Sequence, residues 1–148
     1  MICKIPFEFI SIESEGVHLF FEALLNQKAC KMLIDTGASR SVFDSNRIGL
    51  FVDNPEISEN DQLSTGLGTN SMKSHMVILE NVKIGNLRLK NYTAVIIDMT
   101  HINQSFETMG LQQIDGVLGG DILLKYKAEI DYRKKELRLR FSKKKDSV

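Results

Sequence analysis

Met32-Leu33-Ile34-Asp35-Thr36-Gly37-Ala38-Ser39 places a carboxylate directly at the end of an apolar run. From Ala29 to Ile34 the chain is almost wholly apolar, the pattern of a strand buried on both faces. A carboxylate carried into such surroundings without a partner is expensive. Asp35 must therefore be hydrated, hydrogen-bonded or share a proton. Thr36 offers a hydroxyl that can lock neighbouring backbone. Gly37 permits close approach of another chain and leaves its N–H unobstructed. Ala38 and Ser39 keep the turn small enough for an extended backbone to lie across it. Asp-Thr-Gly is also ordinary turn chemistry, in which Asp simply holds an Asx turn. The buried strand before it and the small residues after it favour a site.

Outward from this segment the chain reads as short strands with few helical pieces. Strands are expected over Ile5 to Ile12, Val17 to Leu25 and Ala29 to Ile34, with a tight turn at Asn26-Gln27-Lys28. Ser41 to Leu50 is read as including a short helix, and Asp53 to Asp61 as a polar loop. Met76 to Lys83 and Leu87 to Ile97 form a long hairpin about Gly85-Asn86. Thr100 to Leu111 reads as an amphipathic helix with Thr100 as its N-cap. Val117-Leu118-Gly119-Gly120 is a short strand ending on glycine, and Ile122 to Tyr126 a helical turn. Lys127 to Tyr132 and Glu136 to Phe141 pair as a last hairpin. The expected class is mainly β, a closed barrel with one or two short helices.

The chain has 148 residues, 43% hydrophobic and 26% charged, with a formal net charge of +0. That suits one domain over 1–148, large enough to fold without disulfide or metal staples. Zero net charge, no Trp and one short basic run, Lys143-Lys144-Lys145, disfavour a nucleic-acid partner. No apolar stretch approaches the roughly 18 residues that span a bilayer, so no membrane partner is expected. Met1 to Ile10 lacks the pattern of a signal peptide, and Cys3 and Cys30 are too few for a disulfide framework. A cytoplasmic setting fits reduced cysteines best. His18, His75 and His101 lack metal-ligand spacing, so no metal is expected.

Met32 to Ser39 resembles the active-site motif of aspartic peptidases, where apolar residues precede Asp-Thr-Gly-Ala/Ser. Val117-Leu118-Gly119 resembles that family's two-apolars-then-glycine element, whose strand threads behind the catalytic loop. Between them Gly66-Leu67-Gly68 falls where the family carries its flap. The ordered set covers roughly residues 17–141. One Asp-Thr-Gly in a chain of this length points to the single-lobed, retropepsin-like branch. Gly119-Gly120-Asp121-Ile122-Leu123 and Glu129-Ile130-Asp131 look close to the protease domain of eukaryotic DNA-damage-inducible ubiquitin receptors; no ubiquitin role is carried over. Viral members have Asp two residues after the catalytic Gly and Arg directly after the later Gly. Those positions hold Ser39 and Gly120 here, so viral interface geometry is not implied.

The resemblance implies an aspartic endopeptidase with Asp35 catalytic, supported by Thr36, Gly37, Ala38 and Ser39, with a flap at Gly66 to Gly68. One Asp per chain means that the second carboxylate comes from an identical partner, so the protein itself is the expected partner, with a peptide or protein as substrate. The mechanism needs no metal and no cofactor. The competing reading is a non-catalytic dimeric module that binds extended peptides on the same fold; an intact Asp35-Thr36-Gly37 argues against it. Asp98, Asp115, Asp121 and Asp131 are read as strand-end or turn residues, with Asp115-Gly116 as a turn. Glu136 to Phe141 and Ile5 to Ile12 are the candidates for an intersubunit sheet.

Overall fold

Two turns fix the strand registers around residue 35. The structure, a computed structural model, describes residues 1–12, 16–53, 55–60 and 74–142. In the first turn Asn26 and Gln27 both have left-handed φ, 49° and 69°, as a two-residue hairpin between twisted strands requires. It joins β3 (Gly16–Leu25) to β4 (Lys28–Ile34). Asn26 N–H donates to the Asn81 carbonyl at 2.8 Å, and Asn26 Oδ1 accepts Asn81 N–H at 3.1 Å. The turn is thereby pinned to β7 (Ser74–Ile84). The second turn, Gly85-Asn86, joins β7 to β8 (Leu87–Ile97). Gly85 has φ +60°, and a Cβ there would stand 2.4 Å from Cys3 Sγ, so position 85 demands glycine twice over.

Strand pairing closes a barrel. With β5 (Val42–Asp44) and β9 (Gly116–Leu118), the order runs β3-β4-β9-β5-β8-β7, and β7 returns to pair with β3 through Leu24↔Lys83 and Leu25↔Val82. Six strands make the closed ring. β2 (Glu8–Ile12) extends it beyond β3, and β6 (Ser58–Asn60) beyond β7. β9 runs parallel to β4 and antiparallel to β5, so it lies between the two strands that the 35–41 loop connects. Outside the ring, β1 (Ile2–Pro6), β11 (Glu136–Arg140) and β10 (Glu129–Asp131) form a three-stranded sheet in that order.

Leu25, Met32, Leu79, Ile96 and Leu118 fill the barrel, and the same cluster runs on to Leu137 and Leu139 of the outer sheet. A second cluster lies under α1 (Thr100–Thr108), where Phe106 meets Phe20, Val95, Met99 and Val117. The apolar residues around the Asp35 loop thus belong to two cores: Ile34 to the first, Ala38 to the second. No helix among the described residues is long and apolar enough to cross a membrane.

Several expectations need correction. Ile5 to Ile12 is not one strand: Pro6 ends β1, Phe7 N–H donates to Lys135 C=O at 3.0 Å, and β2 departs into the barrel sheet. Residues 58–60, expected within a loop, pair with 74–76. Ser41 to Leu50 holds strand β5 and only a 3-10 turn, Ile48–Leu50. Thr100 is the first helical residue rather than the N-cap, which is Met99; Asp98 Oδ1 takes the Thr100 N–H at 2.9 Å and also its hydroxyl. Gly116 lies in a strand, not a turn, and Gly119-Gly120 lie beyond it, with Gly120 opening α2 (Gly120–Lys125). The flap positions Gly66, Leu67 and Gly68 lie outside the described residues, as does Lys143 to Lys145.

The outer sheet is tied by charge. Arg138 reaches Glu129 at 3.0 Å, Asp131 at 3.2 Å and Glu136 at 2.8 Å, and Arg140 reaches Glu129 at 2.8 Å. Hydrogen bonds from Arg140 and then Arg138 hold the Glu129 carboxyl below its ordinary range. The Lys134 backbone N–H and then Arg138 do the same for Asp131. A carboxyl held low stabilises the fold above its unfolded value, about 4, and that contribution disappears as pH falls through the folded value. Arg138→Ala should therefore lower the melting temperature by a few degrees at neutral pH and hardly at all near pH 2. Equal losses at both pH values would contradict this.

Candidate active site

Asp35 stands where β4 leaves the barrel. Its backbone N–H donates to Leu118 C=O at 3.0 Å, which seats the end of β4 on β9. The chain then turns back: Ala38 N–H donates to Asp35 C=O at 3.2 Å, and Gly37 N–H donates to Asp35 Oδ1 at 2.9 Å. A Cβ on Gly37 would lie 3.2 Å from Oδ1, crowding the carboxylate. Asp35 itself is half-buried, Thr36, Gly37 and Ser39 are exposed, and Ala38 is buried in the second core. Among the described residues the Asp35 carboxylate accepts one backbone N–H, and its partial exposure leaves it within reach of solvent. The acid stands on a short loop whose Thr36, Gly37 and Ser39 are exposed.

Behind the loop, β9 and the start of α2 form its seat. Gly120 N–H donates to Ala38 C=O at 2.7 Å. Gly119 N–H donates to Ser41 Oγ at 2.9 Å. Ser41 in turn gives both its N–H (2.8 Å) and its hydroxyl (2.7 Å) to Asp121 Oδ1. Position 119 has no room for a side chain, since a Cβ would sit 2.6 Å from Arg40 O and 2.8 Å from Ala38 O. Val117 and Leu118 are fully buried beneath it. Ser39 and Gly120 carry no ion pair between them; the link from loop to helix runs through Ser41 and Asp121 instead. Asp121 reads in the sequence as a strand-end or turn residue, and its pairing with Ser41 is not visible there, because 80 positions separate them.

The remaining acids are placed away from Asp35 in bonding terms. Asp115 is buried; its Oδ2 accepts Lys31 N–H at 2.8 Å and its Oδ1 meets Arg47 Nε at 2.6 Å, so it anchors the approach to β9 rather than a turn. Asp44, also buried, accepts Met99 N–H at 3.2 Å and Asn103 Nδ2 at 3.0 Å, joining α1 to β5. Asp98 accepts from Asn46 at 2.7 Å, and these contacts, the Thr100 hydroxyl foremost, hold it below its usual range. Asp131 holds the last hairpin through the Arg133 and Lys134 N–H groups at 3.0 and 2.9 Å. Cys30 is buried, and burial first, then Asp115, pushes its thiol far above the ordinary value, which disfavours a reactive thiolate. Among the described residues no three His, Cys, Asp or Glu side chains are grouped to hold a metal ion.

A cleft of about 720 Å³ opens beside Phe20, Glu22, Lys31, Arg47 and Asp115. It adjoins the first half of β4, roughly 13–20 Å along the strand from Asp35 at about 3.3 Å per residue. Asp35 does not line it.

Residues 21–122 match a family model described as "Aspartyl protease". The fold is similar to a retropepsin-like aspartic protease from Rickettsia conorii, at 22% identity and TM-score 0.54, covering 94% of this chain and 90% of that one. It is also similar to EIAV protease complexed with the inhibitor HBY-793, at 18% identity and TM-score 0.56, covering 82% of this chain and 99% of that one. No curated protein matches the sequence.

Proposed function

Since the chain belongs to the aspartyl protease family, we propose that it is an aspartic endopeptidase in which two copies each contribute Asp35 to one site. The observation that carries this reading is the Asp35 loop: a half-buried carboxylate on a tight turn with exposed neighbours, seated on a strand threaded between β4 and β5. Two carboxylates about 3 Å apart do not both ionise, so they share one proton. The ionised member takes a proton from water as the water oxygen attacks the scissile carbonyl. The protonated member hydrogen-bonds the carbonyl oxygen, and a proton then passes to the leaving nitrogen as the C–N bond breaks. Thr36, Gly37, Ala38 and Ser39 keep the loop small enough for an extended substrate, and Val117, Leu118 and Gly119 support it. Gly66, Leu67 and Gly68 are proposed as the cover, because β6 and β7 pair antiparallel on either side of that segment.

An internally quenched peptide, chosen from fragments that the protein releases from denatured casein, tests this directly. The expected result is cleavage at internal bonds that is blocked by a statine-type peptide. Binding of that peptide with no cleavage of any substrate would favour the non-catalytic module.

The second copy is proposed to dock on the face that carries the loop. Within one chain β11 is paired on both sides, by β1 and by β10, which favours contacts other than the final strand for the intersubunit surface. Among the described residues β1 pairs only with β11, at the edge of its sheet. Leu124, 82% exposed, follows Gly120 by one helical turn and so shares the helix face that meets the loop. Sedimentation equilibrium should give a dimer at the concentrations where cleavage is seen, and Leu124→Glu should weaken it about tenfold or more. A strict monomer that cleaves peptides would refute the two-chain site.

The pH profile should be a bell, because one carboxylate must be charged and the other protonated. Ala38 brings no hydroxyl to the pair, and its methyl is buried against the second core. A donor would favour the charged form; without one, activity should persist into the mildly acidic to near-neutral range. An optimum in strong acid would contradict this.

A further inference from the structure

We propose that Asp121 is a positioning residue for the Asp35 loop, acting through Ser41. This rests on the peptidase reading above. One oxygen, Asp121 Oδ1, accepts three hydrogen bonds: Ser41 N–H at 2.8 Å, Ser41 Oγ–H at 2.7 Å and Ile122 N–H at 2.8 Å. The Ser41 hydroxyl thereby has its proton committed to Asp121, which leaves its oxygen to accept Gly119 N–H at 2.9 Å. Ser41 is only 1% exposed, so the relay is shielded from water on the serine side. The loop is tied to β9 and α2 at three successive points: Asp35 N–H to Leu118 C=O, Ala38 C=O from Gly120 N–H, and Ser41 to Asp121.

The order of these ties matters. The first two are backbone bonds that any sequence could make. The third uses side chains and closes the far end of the loop, six residues after Asp35. Without it, Ser41 Oγ can rotate away from Gly119, and the close approach of Gly119 to the Arg40 and Ala38 carbonyls has no clamp. A shift of about 1 Å in a catalytic group can cost on the order of 100-fold in rate. The role needs an acceptor at Oδ1, not a negative charge at the site.

The test compares Asp121→Ala, Asp121→Asn, Ser41→Ala and the double Ser41→Ala/Asp121→Ala on the quenched casein-derived peptide. Asp121→Ala should lower kcat about 10- to 100-fold with KM within about twofold. Asp121→Asn keeps an acceptor oxygen and should recover most of kcat with an unchanged pH profile. The double variant should be no worse than the worse single, since both break one relay. Hydrogen exchange is read in parallel: residues 35–41 should exchange faster in Asp121→Ala while 87–97 and 136–140 do not. An Asn variant as impaired as the Ala variant, losses that add in the double, or an Ala variant with normal kcat would each overturn the proposal. If wild type cleaves nothing, the peptidase reading fails by itself and exchange alone decides; unchanged exchange at 35–41 would then overturn the tether. Should Asp121→Ala not fold, Ser41→Ala against Asp121→Asn supplies the same comparison.

Discussion

Asp35→Asn is expected to reduce peptide cleavage by about 1,000-fold or more, the upper range for losing a positioned acid or base, while leaving the fold intact. The amide keeps the shape of the carboxylate, and its oxygen can still accept Gly37 N–H, the bond made at 2.9 Å by Asp35 Oδ1. What it loses is the capacity to take a proton from water or to hold the shared one. Melting temperature should change little, since Asp35 is half-buried and bonded to one backbone donor, and surface-level changes of this kind stay within about 1 kcal/mol. Cleavage at the wild-type rate by the purified variant would remove Asp35 from the chemistry.

Gly119→Ala should do comparable damage by another route. Gly119 has φ −110° and ψ −173°, extended backbone open to any residue, so the cost is one of space alone. The added Cβ would stand 2.6 Å from Arg40 O, 2.7 Å from Arg40 C and 2.8 Å from Ala38 O. All three are backbone atoms of the loop that carries Asp35, and none can swing aside as a side chain does. Overpacking of this kind costs roughly 1–3 kcal/mol, or more, and relief requires the loop to move. A loss of stability of about 3 kcal/mol and a loss of activity near 100-fold are expected together. Gly120→Ala is the control. Its nearest contact would be 3.4 Å from Ala38 O, and it begins a helix, where Ala is favoured over Gly by up to about 1 kcal/mol. Denaturant melts and cleavage assays of both variants should separate them cleanly; equal behaviour would mean that position 119 is not sterically closed.

The parts of this fold that could be read from sequence are those whose cause is local. Ala29 to Ile34 reads as a strand and is one, paired on its two edges by β3 and β9; it is not buried on both faces as expected, since Cys30, Met32 and Ile34 are buried while Lys31 and Leu33 are half-buried and Ala29 is exposed. Asn26-Gln27 and Gly85-Asn86 announce hairpins because the backbone there needs positive φ. The break at Phe7 was not legible: the alternation of apolar residues continues across it, and only the arrival of Lys135, distant in sequence, sends the two halves to different sheets. Ser58 to Asn60 carries no strand pattern, and its pairing is imposed by β7. At the site, Asp35 and its loop stood out because a carboxylate after an apolar run demands an explanation. The link between Ser41 and Asp121 did not, because it arises from contact across 80 positions. Asp115 was misread for the same reason: beside a glycine it looks like a turn, whereas Lys31 and Arg47 make it an anchor.

The central claim is that two Asp35 carboxylates from two chains form one site, and mixing wild type with Asp35→Asn tests it most directly. After subunit exchange at equal amounts, random pairing leaves about one quarter of the pairs with two aspartates. If both are required, activity per total protein should fall to about one quarter of the all-wild-type value, and across mixing ratios it should follow the square of the wild-type fraction. A linear dependence, with about one half of the activity left at the equal mixture, would show that each chain acts by itself, and about three quarters left would show that one Asp35 per pair suffices; either would contradict the account.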